Sequence, residues 1–167
     1  MGAVAAAACS SWSPGSAAES PGSASAAASV TISTNSVPGV GTALVNGQGQ
    51  TLYLLTSEQG GKITCTDDNG CTKVWPDTEL PAGTTQGIAG SGVQASMLGT
   101  TKSATGDLYL TYGGFPLYTF SGDSAAGQDN GEGIMSFGGT WTVMSPAGNP
   151  VTAGSSSASS SGYTYNN

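Results

Sequence analysis

The chain of 167 residues has no histidine and no arginine, and its three cations are the lysines Lys62, Lys73 and Lys102, set against ten acidic residues. Without histidine, a Ser-His-Asp or Cys-His catalytic arrangement is impossible within the chain, as are His-ligated zinc, blue-copper centres and His-ligated haem. Without arginine there is no bidentate clamp for carboxylate or phosphate. A formal net charge of -7 with scattered cations argues against nucleic acid, whose phosphates need clustered positive charge, and against an anionic membrane surface. Charged residues make up only 8% of the chain, so solubility falls to Ser, Thr, Asn, Gln and Gly. No apolar run approaches the roughly 18–20 residues that cross a bilayer. No segment shows a helical apolar period of useful length.

The two ends are poor in anything bulky. Residues 1–35 are dominated by Ala and Ser, and residues 153–167 by Ser, Gly and Asn with Tyr163 and Tyr165. Neither end carries enough apolar surface to offset the entropy of ordering, so they read as a tether and a tail, disordered or extended. The segment 36–152 remains, about 115 residues, enough for one core.

Cysteine use points out of the cytoplasm. Cys65 and Cys71 flank a polar, turn-rich loop, Cys-Thr-Asp-Asp-Asn-Gly-Cys, where two thiols would lie close. A disulfide there would restrict the unfolded chain by about 2 kcal/mol in the entropic account. The rival is a redox or metal-binding thiol pair, but redox pairs usually take a Cys-x-x-Cys spacing, and two thiols alone do not complete a soft metal site. Cys9 closes the run Met-Gly-Ala-Val-Ala-Ala-Ala-Ala-Cys, which is too short for a complete signal peptide and lacks a basic start. Ala-Ala-Cys9 looks like the end of a bacterial lipoprotein signal, which would make Cys9 the lipid-bearing residue. The plain alternative is an unpaired cysteine in a tail.

Between the ends the chain repeats itself. Thr51-Leu-Tyr53-Leu-Leu-Thr-Ser-Glu58 leads through a polar, Gly-bearing loop to Trp75, and Pro116-Leu-Tyr118-Thr-Phe120-Ser-Gly-Asp123 leads likewise to Trp141. Tyr53 and Tyr118 are 65 positions apart, Trp75 and Trp141 66 apart. Internal similarity at such a spacing reports duplicated structure. Short apolar alternations between Gly-rich turns predict strands. Val30–Thr34 reads as an edge strand. Thr42–Val45 and Thr51–Thr56 flank Asn46-Gly47, a strong hairpin signal. Asp107–Tyr112 and Pro116–Phe120 flank Gly113-Gly114, and Ile134–Phe137 and Thr140–Met144 flank Gly138-Gly139. Each strand is expected to bury one face, with the Tyr and Trp residues packing the core and their polar atoms at its rim. The expected fold is all-β: a compact antiparallel sandwich or barrel-like domain of two divergent hairpin-rich copies, at about 38–80 and 92–146.

Chemistry has few footholds. Asp67 and Asn69 in one loop, and Asp123, Asp129 and Glu132 in the other, are oxygen donors in Gly-bearing turns, as calcium requires. Neither loop completes an EF-hand series, and such residues are commonly plain turn formers. The carboxylates Glu58, Asp77, Glu79, Asp123 and Glu132 also offer pairs for glycan hydrolysis, although nothing in the sequence sets two of them at the required separation.

Tyr118-Thr-Phe120-Ser-Gly-Asp123 resembles the secreted repeat of bacterial envelope proteins described as predicted lipoproteins with a Tyr-x-aromatic-x-x-Asp motif. Similar pieces are Gly41–Tyr53, the Cys65/Cys71 pair before Trp75-Pro76, Leu98-Gly-Thr, Gly114–Tyr118 and Gly138–Trp141. Tyr53-Leu-Leu55-Thr-Ser-Glu58 departs from the motif twice, with Leu55 for the aromatic and Glu58 for the acid. The family pattern often sets its cysteines closer and follows Trp with two prolines, so the first copy is divergent. The resemblance spans roughly 38–146 and implies an envelope or secreted location, often lipid-anchored, with no catalytic residues to carry over. Its framework positions here are Tyr53, Glu58, Trp75, Tyr118, Phe120, Asp123 and Trp141. The expected function is that of a non-enzymatic binding or structural module without a cofactor. Its expected partners are an envelope protein, cell-wall glycan or a further copy of itself joined through sheet edges. The alternatives are an accessory of an extracytoplasmic redox or calcium-dependent system, or a small carboxylate-dependent glycan hydrolase.

Overall fold

In the computed structural model, Gly2 and residues 29–151 are described. Cys9, most of the tether and the whole of the 153–167 tail, including its expected disorder, lie outside the described residues. Nine strands occur among the described residues: β1 Thr31–Val37, β2 Gly41–Asn46, β3 Tyr53–Leu55, β4 Ile88–Ala89, β5 Leu98–Lys102, β6 Leu108–Tyr112, β7 Phe115–Pro116, β8 Met135–Ser136 and β9 Gly139–Val143. The only helical pieces among the described residues are single 3₁₀ turns at Thr56–Glu58 and Ala95–Met97. The all-β expectation therefore holds.

The strands form three small sheets, ordered β2-β1-β4, β3-β9-β8 and β5-β6-β7. None closes into a barrel, so the barrel-like alternative drops out. All pairings are antiparallel except β1 with β4, which is parallel. β1 is the central strand of its sheet rather than an edge. It begins at Thr31, inside the stretch assigned to the tether, because Ile32 is needed in the core and is fully buried.

One expected hairpin forms as read, with Gly113 and Gly114, both at positive φ, turning β6 into β7. Another forms one residue out of the expected place: Phe137 and Gly138, both at positive φ, turn β8 into β9, and Gly139 pairs with Ser136. At the third, the Asn46 side-chain oxygen accepts the amide hydrogens of Gln48 and Gln50, each at 3.0 Å, which folds the turn. The returning chain then bridges β2 only at Val45–Thr51 before β3 leaves to pair with β9.

The expectation of one buried face fails at β3. Tyr53 and Leu55 point into one apolar cluster with Trp75, Tyr118, Trp141 and the half-cystines, whereas Leu52 and Leu54 point into another with Ile32, Leu110 and Leu117. Alternation sends successive side chains to opposite faces, and here both faces are covered. Leu117 and Tyr118 divide in the same way.

A hydrogen-bond pattern recurs with the sequence. Leu44 N donates to Met144 O, Met144 N to Leu52 O, and Leu52 N to Leu44 O. Leu110 N donates to Thr78 O, Thr78 N to Leu117 O, and Leu117 N to Leu110 O. Each member of the second triangle lies 65 or 66 positions from its counterpart in the first. The hairpins β1–β2 and β5–β6 share this relation, since Thr34 faces Leu44 and Thr100 faces Leu110.

Candidate functional site

The two Leu-Tyr segments meet at the middle of the molecule. Tyr53 N donates to Tyr118 O at 2.8 Å and Tyr118 N returns a bond to Tyr53 O at 3.0 Å. Around this bridge the indoles of Trp75 and Trp141 stack, with centroids 3.9 Å apart and planes 5° from parallel. Tyr53 meets Trp75 edge-on at 5.4 Å, Tyr118 meets Trp141 edge-on at 5.2 Å, and Phe120 covers Trp75 at 4.5 Å. Edge-to-face and offset contacts of this kind add to the area the rings bury. Gly131 sits so close that a Cβ there would meet the Trp75 ring at 2.8 Å and Tyr53 at 3.0 Å.

The acids that close each motif are inside, not in solvated turns. Asp123 is 5% exposed and Glu58 is fully buried. Each caps the loop that follows it. Asp123 Oδ1 accepts from Asn130 N and Nδ2, both at 3.0 Å, and Glu58 Oε1 accepts from Thr64 N at 2.5 Å and Cys65 N at 2.7 Å. Each also faces the tyrosine of the other motif. Tyr53 donates its hydroxyl to Asp123 Oδ2 at 2.7 Å, and Gly131 N donates to that hydroxyl at 3.3 Å.

The reverse pair, Tyr118 and Glu58, is less well formed. They are close enough for the carboxylate to act on the phenol, yet neither Tyr118 Oη nor Glu58 Oε2 has an aligned hydrogen-bond partner among the described residues. Burial first, and then the facing carboxylate, push both phenols far above their ordinary value. The polar atoms of Tyr53 and Tyr118 thus lie within the core, not at its rim as the sequence suggested.

Cys65 and Cys71 form a disulfide, and both are buried beneath Trp75. The candidate calcium ligands do not converge. Asp67 accepts from the Thr72 hydroxyl, and Asn69 Oδ1 accepts from Thr66 N at 3.2 Å and Cys71 N at 3.0 Å, organising the disulfide loop. Glu132 Oε2 accepts from Val143 N at 2.6 Å, while Asp129 O accepts from Glu132 N. Burial raises the Glu132 carboxyl above its usual range, and the Val143 amide offsets part of that. Among the described residues no three acidic, Cys or His side chains are grouped to hold a metal ion. The oxygens of Asp67, Asn69, Asp123 and Glu132 serve as hydrogen-bond acceptors for the protein's own turns and strands.

A surface groove of about 400 Å³ is lined mainly by polar residues. Its lining includes Thr31 at the start of β1, Asn46 and Gln50 of the turn, Asp77 and Glu79, and Thr119. Residues 76–80 run as an extended segment, bridging to Tyr118 at Asp77 and to Tyr109 at Glu79. Alternation places Asp77 and Glu79 on the same side of that segment. Desolvation, followed by repulsion from Asp107, Asp77 and Asp67, raises the Glu79 carboxyl above its ordinary value. Burial first, and then the nearby Asp77 carboxylate, raise the Tyr109 phenol. Sequence reading named Asp77 and Glu79 only as general carboxylates and missed Thr31, Asn46, Gln50 and Thr119 as lining residues. Its one usable signal was the Asp-x-Glu spacing after Trp75-Pro76.

Residues 99–145 match the profile of a family described as a secreted repeat of unknown function. The matched segment runs from within β5 to just beyond β9, so it covers the second motif and leaves the resemblance read over 38–80 outside it. No curated protein and no solved structure matches the chain. The match, together with the disulfide, shows a secreted, repeat-containing β protein of the extracytoplasmic envelope class.

Proposed function

We propose that this protein is a non-catalytic envelope module, built from two divergent copies of one repeat, that binds a hydroxyl-rich ligand, cell-wall glycan, in the Asp77–Glu79 groove. The recurring hydrogen-bond triangles and the Tyr53–Tyr118 bridge support the two-copy reading. The observation that carries the ligand is the chemistry of the groove. Two adjacent carboxylates accept hydrogen bonds, and Asn46, Gln50, Thr31 and Thr119 supply amides and hydroxyls that both donate and accept. The local negative charge from Asp67, Asp77, Glu79 and Asp107 disfavours anionic ligands and favours neutral or amine-bearing sugars. The motif acids Glu58 and Asp123 are occupied with the fold, which removes the best-placed carboxylates from any reaction at the surface.

Calorimetric titration with soluble cell-wall oligosaccharides tests this reading. Wild-type protein should bind, and Asp77→Asn with Glu79→Gln should weaken binding about tenfold, the loss of about 1.4 kcal/mol, with the melting temperature unchanged. Release of shortened oligosaccharides during the titration would instead make the groove that of a hydrolase. No heat and no chemical-shift change with any cell-wall fragment would sink the proposal.

A second reading, an accessory of an extracytoplasmic redox system, has one observation in its favour. Trp75, Trp141, Phe120 and Tyr53 form a continuous aromatic column with a tyrosine hydrogen-bonded to a carboxylate at its end. Visible absorption or bound metal in protein purified from its own host would support that reading, and a colourless, metal-free sample would remove it.

A further inference from the structure

Tyr53 and Tyr118 hold equivalent places on either side of the indole pair, yet their hydroxyls meet different surroundings. Tyr53 Oη lies 2.7 Å from Asp123 Oδ2, the length of a charge-assisted bond to a carboxylate. Asp123 Oδ1 is taken by the two Asn130 nitrogens, which leaves Oδ2 to the phenol. Gly131 N donates to the same hydroxyl at 3.3 Å. Tyr118 Oη is buried without an aligned partner among the described residues. One phenol therefore has a base in line with its proton, and the other has none.

Both phenols touch an oxidisable centre. Trp75 and Trp141 stack at 3.9 Å, Tyr53 meets Trp75 edge-on at 5.4 Å, and Tyr118 meets Trp141 edge-on at 5.2 Å. Indole and phenol rings are among the side chains that give up an electron most readily, and stacking spreads the positive charge of an oxidised indole over two rings. The half-cystines pack in the same cluster, with Cys65 Sγ 4.0 Å from Trp75 O.

The dry surroundings decide where such a charge settles. All four rings are fully buried, and an indole radical cation beside the Asp123 carboxylate is a pair of buried charges, each costly to hold out of water. Moving the electron from Tyr53 and its proton to Asp123 removes both charges at once. Burial pushes the Tyr53 phenol far above its ordinary value, so in the folded protein its proton is not lost to water. Oxidised Tyr118 would keep its proton and remain a buried cation.

We propose that Tyr53 is a one-electron donor to the Trp75–Trp141 pair, with Asp123 as the acceptor of its proton. An oxygen-derived radical at the surface takes one electron from the indole pair and is reduced, leaving an indole radical cation. Tyr53 gives one electron to that indole, and its O–H bond breaks as the proton passes to Asp123 Oδ2. The products are an intact indole pair, a neutral phenoxyl radical at Tyr53 and a carboxylic acid at Asp123. The oxidising equivalent thereby leaves the indole that covers the half-cystines for a phenol facing the 121–133 loop. Such transfer rests on the redox reading of the aromatic column above, and needs neither a bound cofactor nor the glycan groove.

Laser flash photolysis of the full chain tests the proposal. Trp12→Phe, Tyr163→Phe and Tyr165→Phe are present in every sample, so that the signal comes from the described residues. Light absorbed by indole alone ejects an electron, which a cobalt(III) ammine complex takes up. The indole radical should then decay as a tyrosyl radical appears, at one rate independent of protein concentration and slower in heavy water. Tyr53→Phe should abolish the tyrosyl signal, Tyr118→Phe should leave it unchanged, and Asp123→Asn should slow its appearance about a hundredfold. Under a steady supply of peroxyl radicals, peptide mapping should show Trp75 and Trp141 oxidised at least twofold faster in Tyr53→Phe than in Tyr118→Phe. An indole radical that persists without a tyrosyl signal, a signal undiminished in Tyr53→Phe, or equal loss in the two Phe variants would overturn the proposal. The absence of a heavy-water effect in the unsubstituted core would overturn it without recourse to any variant there. Transfer in colourless, metal-free protein would support it while removing a bound cofactor, and coloured or metal-bearing protein without transfer would overturn it alone.

Discussion

Replacing Asp123 with alanine should be among the most damaging single changes outside the apolar core. Its carboxylate accepts the Tyr53 hydroxyl at 2.7 Å and the two Asn130 nitrogens at 3.0 Å, and the whole group is buried. A hydrogen bond to a charged group contributes about 1.5–3 kcal/mol, and buried donors left behind cost about as much again as they would gain when paired. The three bonds are coupled, so their sum overstates the effect. A loss of about 3–5 kcal/mol is expected for Asp123→Ala. For a domain of this size each kcal/mol moves the midpoint by about 3–5 °C, giving a fall of roughly 10–20 °C. Tyr53→Phe removes only one of the three bonds and should cost about 2 kcal/mol, with a coupling energy to Asp123→Ala of about 1–3 kcal/mol. Asp123→Asn keeps an acceptor for Asn130 and offers Tyr53 a donor, so about 1–2 kcal/mol is expected. Guanidinium unfolding followed by Trp fluorescence measures all four proteins. A cost below about 1 kcal/mol for Asp123→Ala, or no coupling to Tyr53, would refute the view that this acid joins the two halves.

The disulfide closes a short loop under Trp75, so Cys65→Ser with Cys71→Ser should lower stability by about 2 kcal/mol, read from the same unfolding curves; no change would mean that the loop is already fixed by Glu58. Gly131→Ala would drive a methyl group into the Trp75 and Tyr53 rings and should cost about 1–3 kcal/mol, whereas Gly70→Ser, in open space at positive φ, should alter only the local turn. Tyr53 and Tyr118 have folded-state values raised above the unfolded value near 10. Their contribution is therefore intact below that pH and is lost as pH rises beyond it. Alkaline titration followed by phenolate absorbance should show these two phenols ionising only with unfolding. Tyr53→Phe with Tyr118→Phe should move that transition to higher pH, and independent early titration would contradict the assignment.

What the sequence made legible was local. Gly113-Gly114, Gly138 and the Asn46 turn announce themselves because those residues accept dihedrals or side-chain bonds that others resist, whereas Phe137 at positive φ carries no such mark. The long-range steps were not visible. β3 has three residues, and its union with β9 depends on a register set across the whole domain. β4 is only Ile88-Ala89, and β5 carries Gly99 and two threonines, so neither shows the apolar alternation that marks a half-buried strand. The Tyr and Trp spacing found the two halves of the core, but not the buried acids between them. A carboxylate after Tyr-x-x-x-x reads as a solvated turn until its donors are known. The groove residues come from four separate segments, and only the Asp77–Glu79 alternation lies in one of them.

The placement of those acids explains why the two halves depend on each other. Each motif acid organises its own following loop and faces the other motif's tyrosine, and Asp123 takes one of its hydrogen bonds, that from Tyr53, across the interface. The stacked indoles impose the same condition on the apolar side, since removing either Trp75 or Trp141 uncovers the other. A segment such as 99–145 by itself would expose Trp141 and leave Asp123 without Tyr53. The segment 99–145 thus draws part of its core from the rest of the chain. Leu55 and Glu58 stand where the second motif has Phe120 and Asp123, and the loop that follows them is closed by the disulfide. With the core secured from inside, the Asp77–Glu79 groove is the surface on which the proposed glycan binding would be built.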